Sequence, residues 1–184
     1  MANTDQPSGF KVAGHAGGGT PRAEKFTILY SYATAIFAGD SVVLASGYVN
    51  QAADGSSATL GVFDGCEYVD NSGNMVYSRY WPGVALADST KIVTASVYVD
   101  PQILYEVQTD TGTTTTIANV GVAYDIELDH SGSTITGQSG MELDVSDTTS
   151  GMWMVHGLSP IPGNAWGVNA KVLVTCRLPV MGSV

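Results

Sequence analysis

Short apolar runs alternate with polar, glycine-rich breaks along this chain, and the 3.6-residue spacing of an amphipathic helix is almost absent. The clearest run places Val93, Ala95 and Val97 on one side of an extended strand, with Thr94 and Ser96 on the other. Runs rich in β-branched and aromatic residues are typical of strands. The pattern predicts strands at residues 26–31, 41–44, 59–69, 75–80, 91–99, 103–108, 123–128, 141–145, 152–157 and 170–178.

Turn-forming residues lie between these runs, where hairpins need them. The Asp-Thr-Gly sequence at 110–112 and the His-Ser-Gly sequence at 130–132 are two examples. One helical turn is predicted at residues 116–120, with a threonine to cap its start and Gly121 to stop it. Because no linker or internal repeat divides residues 24–184, the pattern predicts one compact all-β body, a β-barrel or a β-sandwich.

Residues 1–23 differ from the rest of the chain. They are rich in glycine and proline and contain only Met1, Phe10 and Val12 as large apolar residues. Such a segment cannot bury enough surface to offset the entropy of ordering itself. We therefore expect an extended N-terminal arm that gains its order from a partner. Phe10 and Val12 are its candidate apolar anchors, and Lys11 and Arg22 favour an acidic neighbour.

Composition narrows the classes of partner. Charged residues make up only 13% of the chain, against about 25% in a typical globular protein. Acidic residues outnumber basic ones 17 to 7, giving a net charge of −10, which argues against binding nucleic acid or an anionic membrane. No apolar run is long enough to span a bilayer, and the N-terminal sequence lacks the features of a signal peptide. We expect synthesis and folding in a cytoplasm, and a surface that is partly covered by partners.

Catalytic motifs are weak in this sequence. Asp110 begins an Asp-Thr-Gly tripeptide like that of aspartyl proteases, but its polar flanks favour an exposed β-turn. The three histidines, His15, His130 and His156, do not belong to any recognisable triad motif, and the glycines at 14–19 are interpreted as a flexible tether. We predict no enzymatic activity, no catalytic residues, no cofactor and no metal site.

The two cysteines and the aromatic residues complete the candidate chemistry. Cys66 and Cys176 are expected to be reduced thiols. The alternative is a disulfide between them, which requires their strands to be neighbours. Tyr77 is expected in the core, and Trp166 is expected to be partly exposed in a Pro/Gly-rich loop. For Tyr80 and Trp81 the sequence does not decide between a place in the core and a place at an interface. The candidate partner-interface residues are Phe10, Lys11, Val12, Arg22, Tyr80, Trp81 and Trp166.

Six segments in order along the chain resemble the capsid cement, or decoration, proteins of tailed phages. They are DQPSGF at 5–10, AGDSV at 38–42, LGVF at 60–63, ILYEVQ at 103–108, GQSGMELD at 137–144 and NAKVLV at 169–174. The resemblance implies an all-β protein, often a trimer, that binds the major capsid protein. It also implies a place on the outer surface of the virion, where such proteins stabilise the head. The family has no catalytic residues to carry over.

A second interpretation belongs to the binding class. The chain could be a phage surface or tail adhesin domain that recognises a host glycan through Tyr80, Trp81 or Trp166, because aromatic rings stack on sugars. Neighbouring capsid genes would favour the cement protein, and neighbouring tail genes would favour the adhesin.

Overall fold

Antiparallel strands form most of the computed structural model, which describes residues 3–55, 58–84, 87–149, 151–177 and 179–180. The strands in these ranges are β1 (Lys11–His15), β2 (Ala23–Ile28), β3 (Ile36–Phe37), β4 (Ser41–Ala45), β5 (Tyr48–Gln51), β6 (Gly61–Val69), β7 (Met75–Ser78), β8 (Tyr80–Trp81), β9 (Val93–Tyr98), β10 (Ile103–Gln108), β11 (Ala123–Glu127), β12 (Glu142–Asp144), β13 (Trp153–Leu158) and β14 (Lys171–Cys176). The all-β prediction is confirmed, and the body resembles a β-sandwich rather than a closed barrel.

Two sheets contain most of these strands. The first sheet has the order β1-β10-β14-β13-β11-β12, and the second has the order β2-β9-β6-β4-β5, with β7 also paired to β6. Strands β3 and β8 form a separate two-stranded pair. The chain therefore passes from the first sheet to the second between β1 and β2, within its first 23 residues.

Alternation along the strands builds the core. Val93, Ala95 and Val97 of β9 are buried, as the sequence pattern required, while Thr94 and Ser96 lie on the other face. One core cluster lies against the first sheet and includes Tyr105 and Trp153; a second lies against the second sheet and includes Phe63 and Trp81. Burying each large side chain contributes roughly 1.5–3 kcal/mol, so these clusters supply the main stabilisation.

The predicted elements match the observed ones with limited errors. Each of the ten predicted strands overlaps an observed strand, and residue 178 of the last prediction lies outside the described residues. A 3₁₀ turn forms at Ile117–Asn119, where Thr116 caps the start and Gly121 has a φ of +83°. Strands β1, β3 and β5 were not predicted, because each is short or lies in a segment interpreted as a turn or an arm.

The N-terminal segment differs from the expected arm. We call residues 3–10 the N-terminal strap; Met1 and Ala2 lie outside the described residues. The strap ends in Phe10, which is 3% exposed, and the ring centroid of Phe10 lies 4.4 Å from that of Trp153. The Phe10 N–H donates to the Gly39 carbonyl at 2.8 Å, and the following β1 pairs with β10. The prediction counted only the surface that this segment could bury by itself, whereas the body supplies the core around Phe10.

The glycine-rich stretch that follows β1 also has a defined structure. The N–H groups of Gly17 and Gly19 donate to His15 Nδ1 at 3.1 and 3.0 Å, and His15 Nε2 lies 3.0 Å from Asp100 Oδ2. A Cβ atom on Gly19 would come within 3.0 Å of the imidazole ring. The interpretation of these glycines as a flexible tether is therefore corrected: they allow the backbone to wrap closely around His15.

The buried position of Phe10 generates a prediction. Phe10→Ala should lower the free energy of unfolding by about 3–5 kcal/mol, because it leaves a cavity beside Trp153. Val12→Ala, two residues further on at a 39% exposed site, is the matched control and should change it by only about 0.5 kcal/mol. Urea denaturation measures both. Similar values for the two variants would contradict the placement of Phe10 in the core.

Candidate functional site

Three of the predicted interface residues are exposed at sheet edges. Lys11 and Val12 lie on β1, at one end of the strand order in the first sheet, and Arg22 immediately precedes β2, at one end of the second. In the described structure each of these edge strands has one neighbour within its sheet. The outer side of an edge strand presents backbone N–H and C=O groups to which another chain can pair. Lys11 and Val12 thus lie where a partner strand could add to the protein, whereas β2, next to Arg22, also lies close to β5 at the other end of its sheet.

The aromatic candidates occupy more buried positions. Trp81 is fully buried, and its Nε1–H donates to the Tyr32 carbonyl at 3.0 Å. Tyr80 is half-buried and stacks on Phe37 with ring centroids 5.4 Å apart. Trp166 is half-buried against the first core cluster. Trp81 is therefore corrected from a candidate interface residue to a core residue, and these three rings do not form an exposed sugar-stacking platform.

Tyr77 shows the opposite error. It was expected in the core but is 77% exposed, and Met75, two residues earlier on the same face of β7, is 57% exposed. Ile92, next to the start of β9, is 74% exposed. The sequence indicates the alternation at β7, but nothing in it shows which face meets the core. These exposed apolar side chains were missed as candidate contact residues.

Asp110 lies in a more constrained place than an exposed turn. It is 7% exposed, and its Oδ1 accepts a hydrogen bond from the Val145 N–H at 3.1 Å. Its own N–H donates to the Leu143 carbonyl at 3.0 Å, so the chain beyond β10 runs beside β12. The expectation of a surface turn is corrected, because this lateral contact is not encoded in the local sequence.

Asp110 belongs to a cluster of three carboxylates. Oxygen atoms of Asp110, Glu127 and Asp144 lie within 4.8 Å of one another. Burial raises the pKa of Glu127 to about 7, and the negative charges of Asp129 and Asp144 act in the same direction. Carboxylate oxygens are ligands for hard cations, but Asp110 already accepts a backbone hydrogen bond. The direct effect of the cluster is electrostatic repulsion at neutral pH.

Two further groups bring possible metal-ligating atoms within 4.8 Å of one another. One contains Asp54, Asp125 and Asp147, and the other contains Asp5, His130 and Glu142. The buried members are engaged by protein donors: Asp125 Oδ2 accepts from the Gly55 N–H at 2.9 Å, and Glu142 Oε1 accepts from Gln108 at 2.8 Å. These contacts serve the fold.

The histidines and cysteines have structural partners. Both nitrogens of His15 are engaged, by Asp100 and by backbone N–H groups, and His156 Nε2 lies 2.9 Å from Thr175 Oγ1. Cys66 and Cys176 carry thiols and lie on β6 and β14, in different sheets. Burial raises the pKa of Cys66 to about 12, which keeps this thiol protonated and unreactive at neutral pH.

Comparison of the chain with protein-family models, with curated proteins and with solved structures finds no match. Within the described residues, no helix is long and apolar enough to cross a membrane.

The carboxylate cluster generates a prediction about pH. The raised pKa of Glu127 means that, between about pH 4.5 and 7, the folded protein binds more protons at this site than the unfolded chain. The free energy of unfolding therefore falls as pH rises through this window. Glu127→Gln cannot ionise and should be more stable than the wild type at pH 8, by about 1 kcal/mol after solvent screening, but not at pH 4.5.

Thermal unfolding at the two pH values checks this. Glu24→Gln, which removes an exposed carboxylate from the edge strand β2, is the matched control. An equal gain at both pH values, or an equal gain in the control, would show that ionisation of the half-buried Glu127 is not the cause.

Proposed function

We propose that this protein is a tailed-phage capsid decoration protein, which binds the outer surface of the major capsid protein shell and stabilises the head. The observation that carries the proposal is the position of the six matching segments in the folded protein. The six segments that resemble this family are separated along the chain, yet they contact one another in the fold.

The contacts link all six segments. Phe10 of the first donates its N–H to the Gly39 carbonyl of the second at 2.8 Å, and the Gly39 N–H donates to the Phe63 carbonyl of the third at 2.8 Å. Gln108 of the fourth bonds Asp5 of the first at 2.9 Å. Gln138 of the fifth segment donates to the Ser8 carbonyl of the first, and Gln108 of the fourth donates to Glu142 of the fifth. The sixth segment joins the others because β14, which contains most of it, pairs with β10.

This convergence supports the resemblance as a whole. A short match is weak by itself, because such sequences arise by accident. Matches that meet in space instead describe one structural unit, the junction of the strap, the start of β6, β10, β12 and β14. That unit positions β1 at an open sheet edge, which supports a role in contacting another protein.

The distribution of charge supports an acidic protein partner. Only seven basic residues are present, and within the described ranges a single Lys or Arg ion pair forms, between Lys25 and Glu67. Lys11, Arg22 and Arg79 are exposed and have no such internal ion pair in the described structure. We infer that some of these cations pair with carboxylates of the capsid protein. We also propose that copies of the protein form a symmetric oligomer on the shell, a trimer by the family resemblance.

Binding to capsids tests the function directly. Purified protein should co-sediment with capsids that lack both tails and decoration protein, and it should protect these shells against heat. Lys11→Glu/Arg22→Glu should weaken binding about three- to tenfold, because it reverses two charges at the proposed edges.

The same capsid-binding assay is applied to a control double variant. Lys91→Glu/Arg177→Glu makes the same charge change at exposed sites elsewhere and should retain wild-type affinity. No binding to tail-less capsids would overturn the function, and binding only to tails or host glycans would favour the adhesin. Equal weakening by both double variants would contradict the edge assignment. Isolated single copies on the shell would contradict the oligomer.

A further inference from the structure

A groove of about 290 Å³ lies on the outer face of the second sheet, where β2, β9, β6 and β7 are neighbours. We call it the Tyr77 groove, because the ring of Tyr77 stands at its side and is 77% exposed. Polar side chains from β2, β6, β9 and the residue that follows β7 line the rest of it. They are Lys25, Asp64, Glu67, Arg79 and Ser96.

The groove is open at Gly65, which lines it without projecting a side chain. Gly65 lies opposite Ser96 of β9, and a Cβ atom on it would come within 2.8 Å of the Ser78 carbonyl oxygen of β7. The close approach of β7 to β6 therefore requires a glycine at this position. Because this position carries no side chain, a ligand can reach the surface of the sheet between the larger side chains.

A β-bulge places a carboxylate at the same groove. The register of β6 against β9 shifts between Phe63 and Gly65, so Asp64 is an additional residue in β6. Bulges re-aim side chains and are over-represented next to functional sites. Asp64 is exposed, and its carboxylate accepts a hydrogen bond from the Tyr98 hydroxyl. A carboxylate can accept about four hydrogen bonds, so Asp64 can also accept from a ligand.

Hydrogen-bond donors and acceptors are both present in the groove. Lys25 Nζ donates to Ser96 Oγ at 3.1 Å and to Glu67 Oε1 at 3.4 Å. Arg79 is exposed and forms no ion pair within the described part of the chain. The charges of Lys25 and Arg79 balance those of Asp64 and Glu67, so the lining carries no net formal charge.

This combination matches the chemistry of a neutral sugar. Sugar hydroxyls both donate and accept hydrogen bonds, so they can bind cationic donors and carboxylate acceptors in one groove. The apolar C–H face of a sugar ring can pack on an exposed aromatic ring such as Tyr77. A lining without net charge favours neither an anion nor a cation. The centre of a protein interface fits less well, because lysine, glutamate and aspartate are depleted there.

We propose that the Tyr77 groove binds a sugar ring of a neutral glycan. Tyr77 is the stacking platform, and Asp64, Glu67 and Arg79 bind the sugar hydroxyls. Binding by one small groove is weak, with a dissociation constant on the order of 1 mM. The glycan site is a property of the isolated protein, and it is additional to the proposed binding of capsids.

Nuclear magnetic resonance titration of the isolated, isotope-labelled protein tests the groove. The probes are the methyl glycosides of glucose, galactose, mannose and N-acetylglucosamine, each added up to about ten times the expected dissociation constant. At least one glycoside should cause saturable shifts of the Gly65, Tyr77 and Ser96 N–H signals. The Val174 signal on β14, in the other sheet, should not change. Sodium acetate and methylguanidinium chloride, the charged probes, should bind more weakly than that glycoside.

Variants at exposed tyrosines assign the binding to the groove. Tyr77→Ala should weaken glycoside binding about tenfold, because it removes the stacking surface. Tyr77→Phe retains the ring and should stay within about threefold of the wild type. Tyr48→Ala is the matched control, because it removes a tyrosine that is 37% exposed on β5, outside the groove. This control should bind like the wild type.

Four results would overturn the glycan proposal. They are the absence of saturable shifts with every glycoside, unchanged affinity in Tyr77→Ala, an equal loss in Tyr48→Ala, and tighter binding of either charged probe. If Tyr77→Ala weakens capsid binding while no glycoside binds, the groove is a protein contact and the proposal falls. Capsid binding is measured in a separate assay, so the glycan site and the proposed function can fail independently.

Discussion

The pairing of β10 on both sides is the constraint on which the rest of the structure depends. β1 lies along one side of β10 and β14 along the other, and the chain beyond Gln108 continues beside β12. The inward side chains of β10, such as Tyr105, enter the first core cluster, and the outward Gln108 binds the strap. A change that shifted the register of β10 by one residue would exchange these two faces and disrupt both the core and the strap.

Much of the fold could be predicted because strand alternation is a local property. β9 and β10 are recognisable from a few consecutive residues, and the 3₁₀ turn from Thr116 and Gly121. β1 could not be predicted in this way. Its residues carry little apolar surface, and its order comes from backbone pairing to β10 and from insertion of Phe10 beside Trp153. Both depend on residues nearly a hundred or more positions away, which no local pattern contains.

The same limit explains the errors in the candidate site. Alternation shows that Tyr80 and Trp81 face opposite ways, but tertiary packing decides that Trp81 meets Tyr68 and Tyr32 in the core. It likewise decides that Tyr77 faces solvent. Lys11, Val12 and Arg22 are exposed in the structure, and their contact with a partner stays a prediction. A local pattern shows that a residue is charged or weakly apolar, but it does not show what that residue contacts.

The way in which the buried carboxylates are hydrogen-bonded affects where the basic residues can lie. Asp40, Asp110, Asp125 and Glu142 are all buried, and each accepts a hydrogen bond from a backbone or side-chain N–H donor among the described residues. An isolated buried charge would be very costly, so these donors are required for folding. Because they satisfy the buried acids, the few cations of the chain are not needed inside. Lys11 on β1, Lys25 on β2 and Arg22 just before β2 are exposed on or next to edge strands, where another protein could contact them.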